Sequence, residues 1–113
     1  MPIEINGKTI EVDNEGYLVQ PEEWNEAIAE HLAQEEQVEL TDLHWKCINF
    51  IRDYYREHRI AVDVRFVIKH LADEVGEDKK KARKRLFELF PYGYVKQTCK
   101  IAGMKRPRAW STG

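Results

Sequence analysis

The sequence predicts a mainly α domain with a small N-terminal β-hairpin. The expected architecture is a compact bundle of about five helices over residues 1–103, followed by a C-terminal arm at 104–113. Three observations carry this. Residues 3–12 alternate apolar and polar around Asn6-Gly7-Lys8. Several stretches between residues 21 and 102 space their apolar residues at the helical period. The last ten residues have no periodicity at all.

The elements follow in order. Ile3, Ile5, Ile10 and Val12 supply the strand pattern, and Asn-Gly supplies the positive φ angles of a tight hairpin turn. Asp13-Asn14-Glu15-Gly16 is a second turn, with a short extended Tyr17-Leu18-Val19 after it. Pro21 opens a helix running to about Glu35, where its missing N–H is harmless. Glu22 and Glu23 suit the positive end of its dipole. Thr41 N-caps a second helix over about 42–58. That helix carries two overlapping stripes, Leu43-Cys47-Phe50-Tyr54 and His44-Ile48-Ile51-Tyr55, with Trp45 on a third side. So wide an apolar arc marks the central helix, packed on more than one face, with Ile48 and Phe50 buried on different sides. Asp63 caps a third helix with a single stripe (Val64, Val67, Ile68, Leu71, Val75), stopped by Gly76. A fourth, about 78–90, turns Ala82, Leu86, Leu89 and Phe90 inward. A fifth, about 94–102, carries Val95, Cys99 and Ala102 and ends at Gly103. The tail Met-Lys-Arg-Pro-Arg-Ala-Trp-Ser-Thr-Gly is expected to be an exposed, mobile arm.

Composition narrows the class. A chain of 113 residues, 42% hydrophobic, has the size of one domain with its own core. Three Trp, five Tyr and four Phe are inconsistent with a disordered chain. No apolar run approaches the roughly 20 residues of a membrane span. The N-terminus has no secretory pattern, so a cytoplasmic protein without membrane contact is expected. There, Cys47 and Cys99 are free thiols by default.

A net charge of -2 conceals a sharp asymmetry. Residues 78–108 hold Lys79, Lys80, Lys81, Arg83, Lys84, Arg85, Lys96, Lys100, Lys105, Arg106 and Arg108 against only Asp78 and Glu88. That segment is +9 and the remainder -11. It reads either as a dock for an anionic partner or as a solvated face with a basic tail. Nucleic acid is one candidate partner, since a basic fourth helix after two others has a helix-turn-helix outline. Trp110 would then stack on a base or fill a partner's pocket.

Other chemistries find little support. The four His are scattered and form no metal-ligand pair, so no metal site and no cofactor are expected. No nucleotide-binding glycine pattern or nucleophile elbow is present. Cys47 falls on the buried stripe of the central helix, where a thiol is inert. Cys99 lies on an apolar stripe too, but Lys96 and Lys100 flank it and favour a thiolate. Packing and reactivity both remain open for it.

The C-terminal third carries a resemblance. Leu86-Phe87-Glu88-Leu89-Phe90-Pro91-Tyr92-Gly93, Lys96-Gln97, Cys99-Lys100-Ile101-Ala102-Gly103 and Pro107 resemble the DsrC/TusE family. This family comprises the gamma subunit of dissimilatory sulfite reductase and the tRNA-thiolation sulfur-relay proteins. Glu15-Gly16-Tyr17-Leu18 with Trp24, Leu40-Thr41 with His44-Trp45, Phe50-Ile51-Arg52-Asp53-Tyr54-Tyr55, and Arg65 extend the likeness over roughly residues 3–107. The resemblance implies a helical domain whose mobile arm carries sulfur on a near-terminal Cys, with a second Cys eleven residues earlier in the full form. It implies docking to a relay sulfurtransferase or to a sirohaem sulfite reductase, and a carrier rather than a turnover enzyme. Cys99 matches the upstream Cys, but Trp110 stands eleven residues on, followed by Ser111-Thr112-Gly113. A persulfide needs a nucleophilic sulfur, so any sulfur carriage falls to Cys99. The alternative is a regulatory or binding paralogue without the chemistry.

Overall fold

The computed structural model describes residues 2–106. β1 (Pro2–Ile5) and β2 (Lys8–Glu11) pair antiparallel with Ile3 opposite Ile10 and Ile5 opposite Lys8. Asn6 (φ 53°) and Gly7 (φ 78°) both adopt the left-handed backbone that the two-residue turn requires. The hairpin lays Ile10 into the core, and Val12 continues it. Beyond it the Asp13 carboxylate accepts from the N–H groups of Glu15 (2.8 Å) and Tyr17 (3.0 Å) and folds the chain back. The extended segment that follows makes a single bridge, Leu18 to Val12.

Pro21 opens only a short 3-10 turn, Pro21–Glu23. Trp24 then takes an extended conformation, and α1 (Glu26–Glu35) begins after Asn25, whose side chain accepts from Ile28 N–H at 2.9 Å. The expected single helix from Pro21 is therefore two elements. Asn25 is the better cap, and the break leaves Trp24 outside α1.

α2 (Asp42–His58) is the central helix. Thr41 and His44 form a reciprocal capping box at its start. His44, Cys47, Ile48, Ile51 and Arg52 are buried, and Leu43, Trp45, Phe50, Tyr54 and Tyr55 flank them half-buried. Phe50 is therefore not a second buried face opposite Ile48. It stacks on His70 of the next helix, ring centroids 4.4 Å apart.

α3 (Val64–Val75) buries the expected stripe except for Val75, which is half-buried; Asp63 caps it and Gly76 (φ 69°) ends it. α4 (Lys79–Leu89) is capped by Asp78 and turns Ala82 and Leu86 inward against α3. The last helical segment departs from a regular helix over 94–102. Tyr94–Thr98 is a π-turn, and only Cys99–Ile101, here α5, is α-helical. The wide turn holds Tyr94, Val95, Gln97, Thr98 and Cys99 all inside at once, which a narrow helical stripe would not allow.

The chain leaves α5 through a Schellman turn. Gly103 N–H donates to Lys100 O and Met104 N–H to Cys99 O, each at 3.0 Å, with Gly103 at φ 78°. Met104, expected to begin the exposed arm, is buried because this turn folds it back over α5; exposure begins at Lys105. Among the described residues, no helix is long and apolar enough to cross a membrane.

Candidate functional site around Cys99

Cys99 starts α5 at the centre of the molecule and is fully buried. Tyr94 lies against it. The Tyr94 hydroxyl donates to the Val62 carbonyl and lies within hydrogen-bonding reach of the Cys99 sulfur. Burial pushes the Cys99 thiol up to about 12, and the Tyr94 hydrogen bond offsets only part of that. Cys47 on α2 is raised by burial to about 12 as well.

The flanking lysines do not activate Cys99 as expected. Lys96 is exposed and points away from the core. Lys100 reaches Glu36 Oε2 at 3.5 Å and lies 5.2 Å from the centre of the Tyr17 ring. Their charge is spent at the surface while the thiol sits below it. Tyr17 in turn donates to Val95 O at 2.8 Å, and burial, followed by the charges of Cys99, Asp13 and Glu36, raises its hydroxyl to about 12.

A second set of side chains holds α5 from the other side. Trp24 Nε1 donates to Ile101 O at 2.9 Å. Arg52, 6% exposed, donates from one terminal nitrogen to Ala102 O (3.2 Å) and from the other to Pro21 O (3.0 Å). Its guanidinium lies 4.6 Å over Trp24. Burial lowers its pKa, the Arg56 charge adds to that, and Tyr55 and Glu22 oppose it. Gly103 completes the contact: a Cβ there would lie 2.2 Å from Trp24 Cδ1. Sequence periodicity missed both Arg52 and this role of Trp24. The only signal was that both fall in the segments carrying the family resemblance.

An opening of about 330 Å³ lies over the π-turn, lined by Glu15, Tyr17, Glu36, Tyr92, Lys96 and Lys100. A neighbouring groove of about 410 Å³ shares Glu36 and Tyr92 and reaches His44 and Glu88. Gln97 ties the two: its Oε1 accepts from Tyr92 N–H (3.2 Å) and its Nε2 donates to Glu36 (3.3 Å).

The basic residues differ in whether an acid already holds them. Lys79, Lys80, Lys81, Arg83 and Lys84 are exposed on α4, with no ion-pair partner among the described residues. Arg85 instead pairs with Glu77 at 2.7 Å. Lys100 is committed to Glu36, and Arg106 pairs with Glu15. Lys105 is exposed near Glu22, whose carboxyl its charge helps to lower. Arg108 and Trp110 lie outside the described residues. Among those described, no group of three or more His, Cys, Asp or Glu is placed to hold a metal ion.

The fold and site define a class: a small helical domain with an N-terminal hairpin, whose cysteine-bearing final helix is gripped from both sides just before the C-terminal segment. The chain belongs to the DsrC-like family, whose model ("DsrC like protein") matches residues 4–109. It is 43% identical over 105 residues to the sulfurtransferase TusE homolog of Haemophilus influenzae, covering 93% of this chain and 95% of that one. It is 41% identical over 101 residues to the sulfurtransferase TusE of Escherichia coli, covering 89% and 92%. Among solved structures, the oxidized gamma subunit of dissimilatory sulfite reductase (DsrC) from Archaeoglobus fulgidus matches with a TM-score of 0.86 at 36% identity, covering 96% and 98%. The DsrC of Allochromatium vinosum matches with a TM-score of 0.81 at 41% identity over the same shares.

Proposed function

We propose that this chain is a cytoplasmic sulfur-relay protein of the DsrC/TusE type that docks to a relay sulfurtransferase or a sirohaem sulfite reductase. The observation that carries the reading is the likeness over nearly the whole chain to proteins named TusE and DsrC, in sequence and in fold. In this reading the domain proper runs to residue 103, with Met104 packed back onto it, and the rest of the segment to 113 is its arm. Cys99 is the thiol that takes sulfur, because Trp110 replaces the arm's carrier Cys and Cys47 is locked in α2. The resting fold keeps Cys99 protonated and covered, so loading requires the final helix to loosen.

Partner docking uses the exposed cations of α4, Lys79, Lys80, Lys81, Arg83 and Lys84, with Lys96 beside the opening. Lys105, Arg108 and Trp110 supply contacts from the arm, while Arg85, Lys100 and Arg106 support the surface through their own acids. Long-range attraction of this kind speeds encounter and weakens with salt. Titration with a relay sulfurtransferase and with a sirohaem sulfite reductase from the same cell should give saturable binding to one of them. Binding should weaken at least about tenfold when Lys80, Arg83 and Lys84 are changed to Glu. Saturable binding to neither partner would overturn the docking reading.

A further inference from the structure

We infer that Trp24 and Arg52 form a latch that holds the final helix shut over Cys99, so that releasing their two bonds uncovers this thiol without unfolding the domain. The inference rests on the reading of Cys99 as the sulfur-accepting thiol, but its test does not use sulfur transfer.

The bonds fall where such a latch must act. Trp24 and Arg52 take the carbonyls of Ile101 and Ala102, the residues that close the short helix begun by Cys99. A three-residue helix has few backbone bonds of its own beyond its capping turn. Its end is therefore tied by side chains from elsewhere in the chain, 77 and 50 residues away in sequence. The other end is held apart from these two, by Tyr17 on Val95 O and by Gln97 on Tyr92 N–H and Glu36. Thr98, the last residue of the π-turn, buries a hydroxyl with no hydrogen-bond partner among the described residues. A π-turn is a rare arrangement that recurs at functional positions. Trp24 and Arg52 are therefore the side chains that hold the exit of α5, where the turn covering Cys99 begins.

Arg52 is an expensive choice for a purely structural role. Its guanidinium is nearly fully buried, no carboxylate lies within ion-pair distance among the described residues, and its Nε has no partner. A buried charge held by carbonyls and aromatic faces is often replaceable by an apolar side chain without loss of stability. What the planar fork supplies is a simultaneous grip on Pro21 O and Ala102 O, stapling the entry to α1 onto the exit of α5. Trp24 is fixed by the same grip, with the guanidinium over its ring and Gly103 pressed flat against it. Gly103 is the only residue type that fits there. Displacing Trp24 and Arg52 would release two consecutive carbonyls, Ile101 O and Ala102 O, at the turn that covers Cys99 with Met104.

Cys47 gives the test an internal standard, since it is equally buried but sits inside α2, away from both of its ends. The intact protein is treated with iodoacetamide under native conditions, and alkylation of each cysteine is followed by mass spectrometry of peptides. The variants are Trp24→Phe, which keeps a ring but removes the N–H donor, and Arg52→Met, which keeps an apolar stem but removes the fork. Each should alkylate Cys99 about tenfold faster or more than wild type, the factor that about 1.4 kcal/mol of lost local protection produces. Cys47 should stay at its wild-type rate. Equal acceleration of both cysteines would show that the pair serves global stability only, and an unchanged Cys99 rate in both variants would show that there is no latch.

Discussion

His44 joins three parts of the molecule through one ring. Its Nδ1 accepts from Thr41 N–H at 3.0 Å, which requires the proton to sit on Nε2, and Nε2–H donates to Leu89 O at 2.8 Å. The ring also meets Phe90 edge-on, at 4.9 Å between centroids. A second proton would place an N–H against the Thr41 N–H and break the capping box. Burial lowers the His44 pKa, with the bond to Leu89 O opposing. Glu36, Glu39 and Glu88 line the groove on its open side and do not reverse that direction. The unfolded chain therefore takes up a proton in a window where the folded one does not. This contribution to stability is fully present above the ordinary histidine value of about 6.5 and is lost as pH falls toward the lower folded value. Urea melts at pH 7.5 and 5.5 should show a larger loss of stability for wild type than for His44→Gln; equal losses would contradict the assigned tautomer. Arg52 sets the opposite lesson at this scale. Its partners are the carbonyls of Pro21 and Ala102, so nothing in the local sequence reveals why a cation sits inside the helix that builds the core.

Helix ends were legible at Thr41 and Asp63, which each precede a helix, and at Gly76, which follows one, because caps act within three or four residues. Asn25 is an equally local cap, but Pro21 four residues earlier offered a competing start. The final segment was not legible in the same way. Val95, Cys99 and Ala102 suggest a regular stripe, yet tertiary packing buries five consecutive-turn residues and imposes the π-turn Tyr94–Thr98. The two stripes of α2 were likewise read as two buried faces, whereas one is core and the other a half-buried flank. Their energetics should differ accordingly. Ile48→Ala empties fully buried volume and should destabilise by about 2–5 kcal/mol. Phe50→Ala removes a half-exposed ring stacked on His70 and should fall below the lower end of the about 3–5 kcal/mol typical of a buried Phe. Denaturant midpoints of the two variants check this ordering, and a larger loss for Phe50→Ala would contradict it.

At the scale of the whole molecule, charge is divided between a cation-bearing outer face on α4 and an acidic remainder, and the reactive candidate is hidden between them. Net charge showed that division from the sequence alone, but not which cations are free. Arg85, Lys100 and Arg106 are taken by Glu77, Glu36 and Glu15, which lie eight, 64 and 91 residues away. Family membership was legible because its motifs lie in short continuous runs. The closed state of Cys99 was not, since it depends on Tyr94, Trp24 and Arg52 converging in space. Sulfur relay through Cys99 is tested most directly by incubating the protein with a persulfidated relay sulfurtransferase and weighing it intact and after digestion. Transfer of the outer sulfur to the thiol leaves the donor as a thiol and adds one sulfur atom, about 32 Da, to this chain. Wild type should gain that mass on the peptide containing Cys99 and Cys99→Ser should gain none. A gain on Cys47, or no gain on wild type while the same donor loads a DsrC bearing its own arm cysteine, would contradict carriage at Cys99.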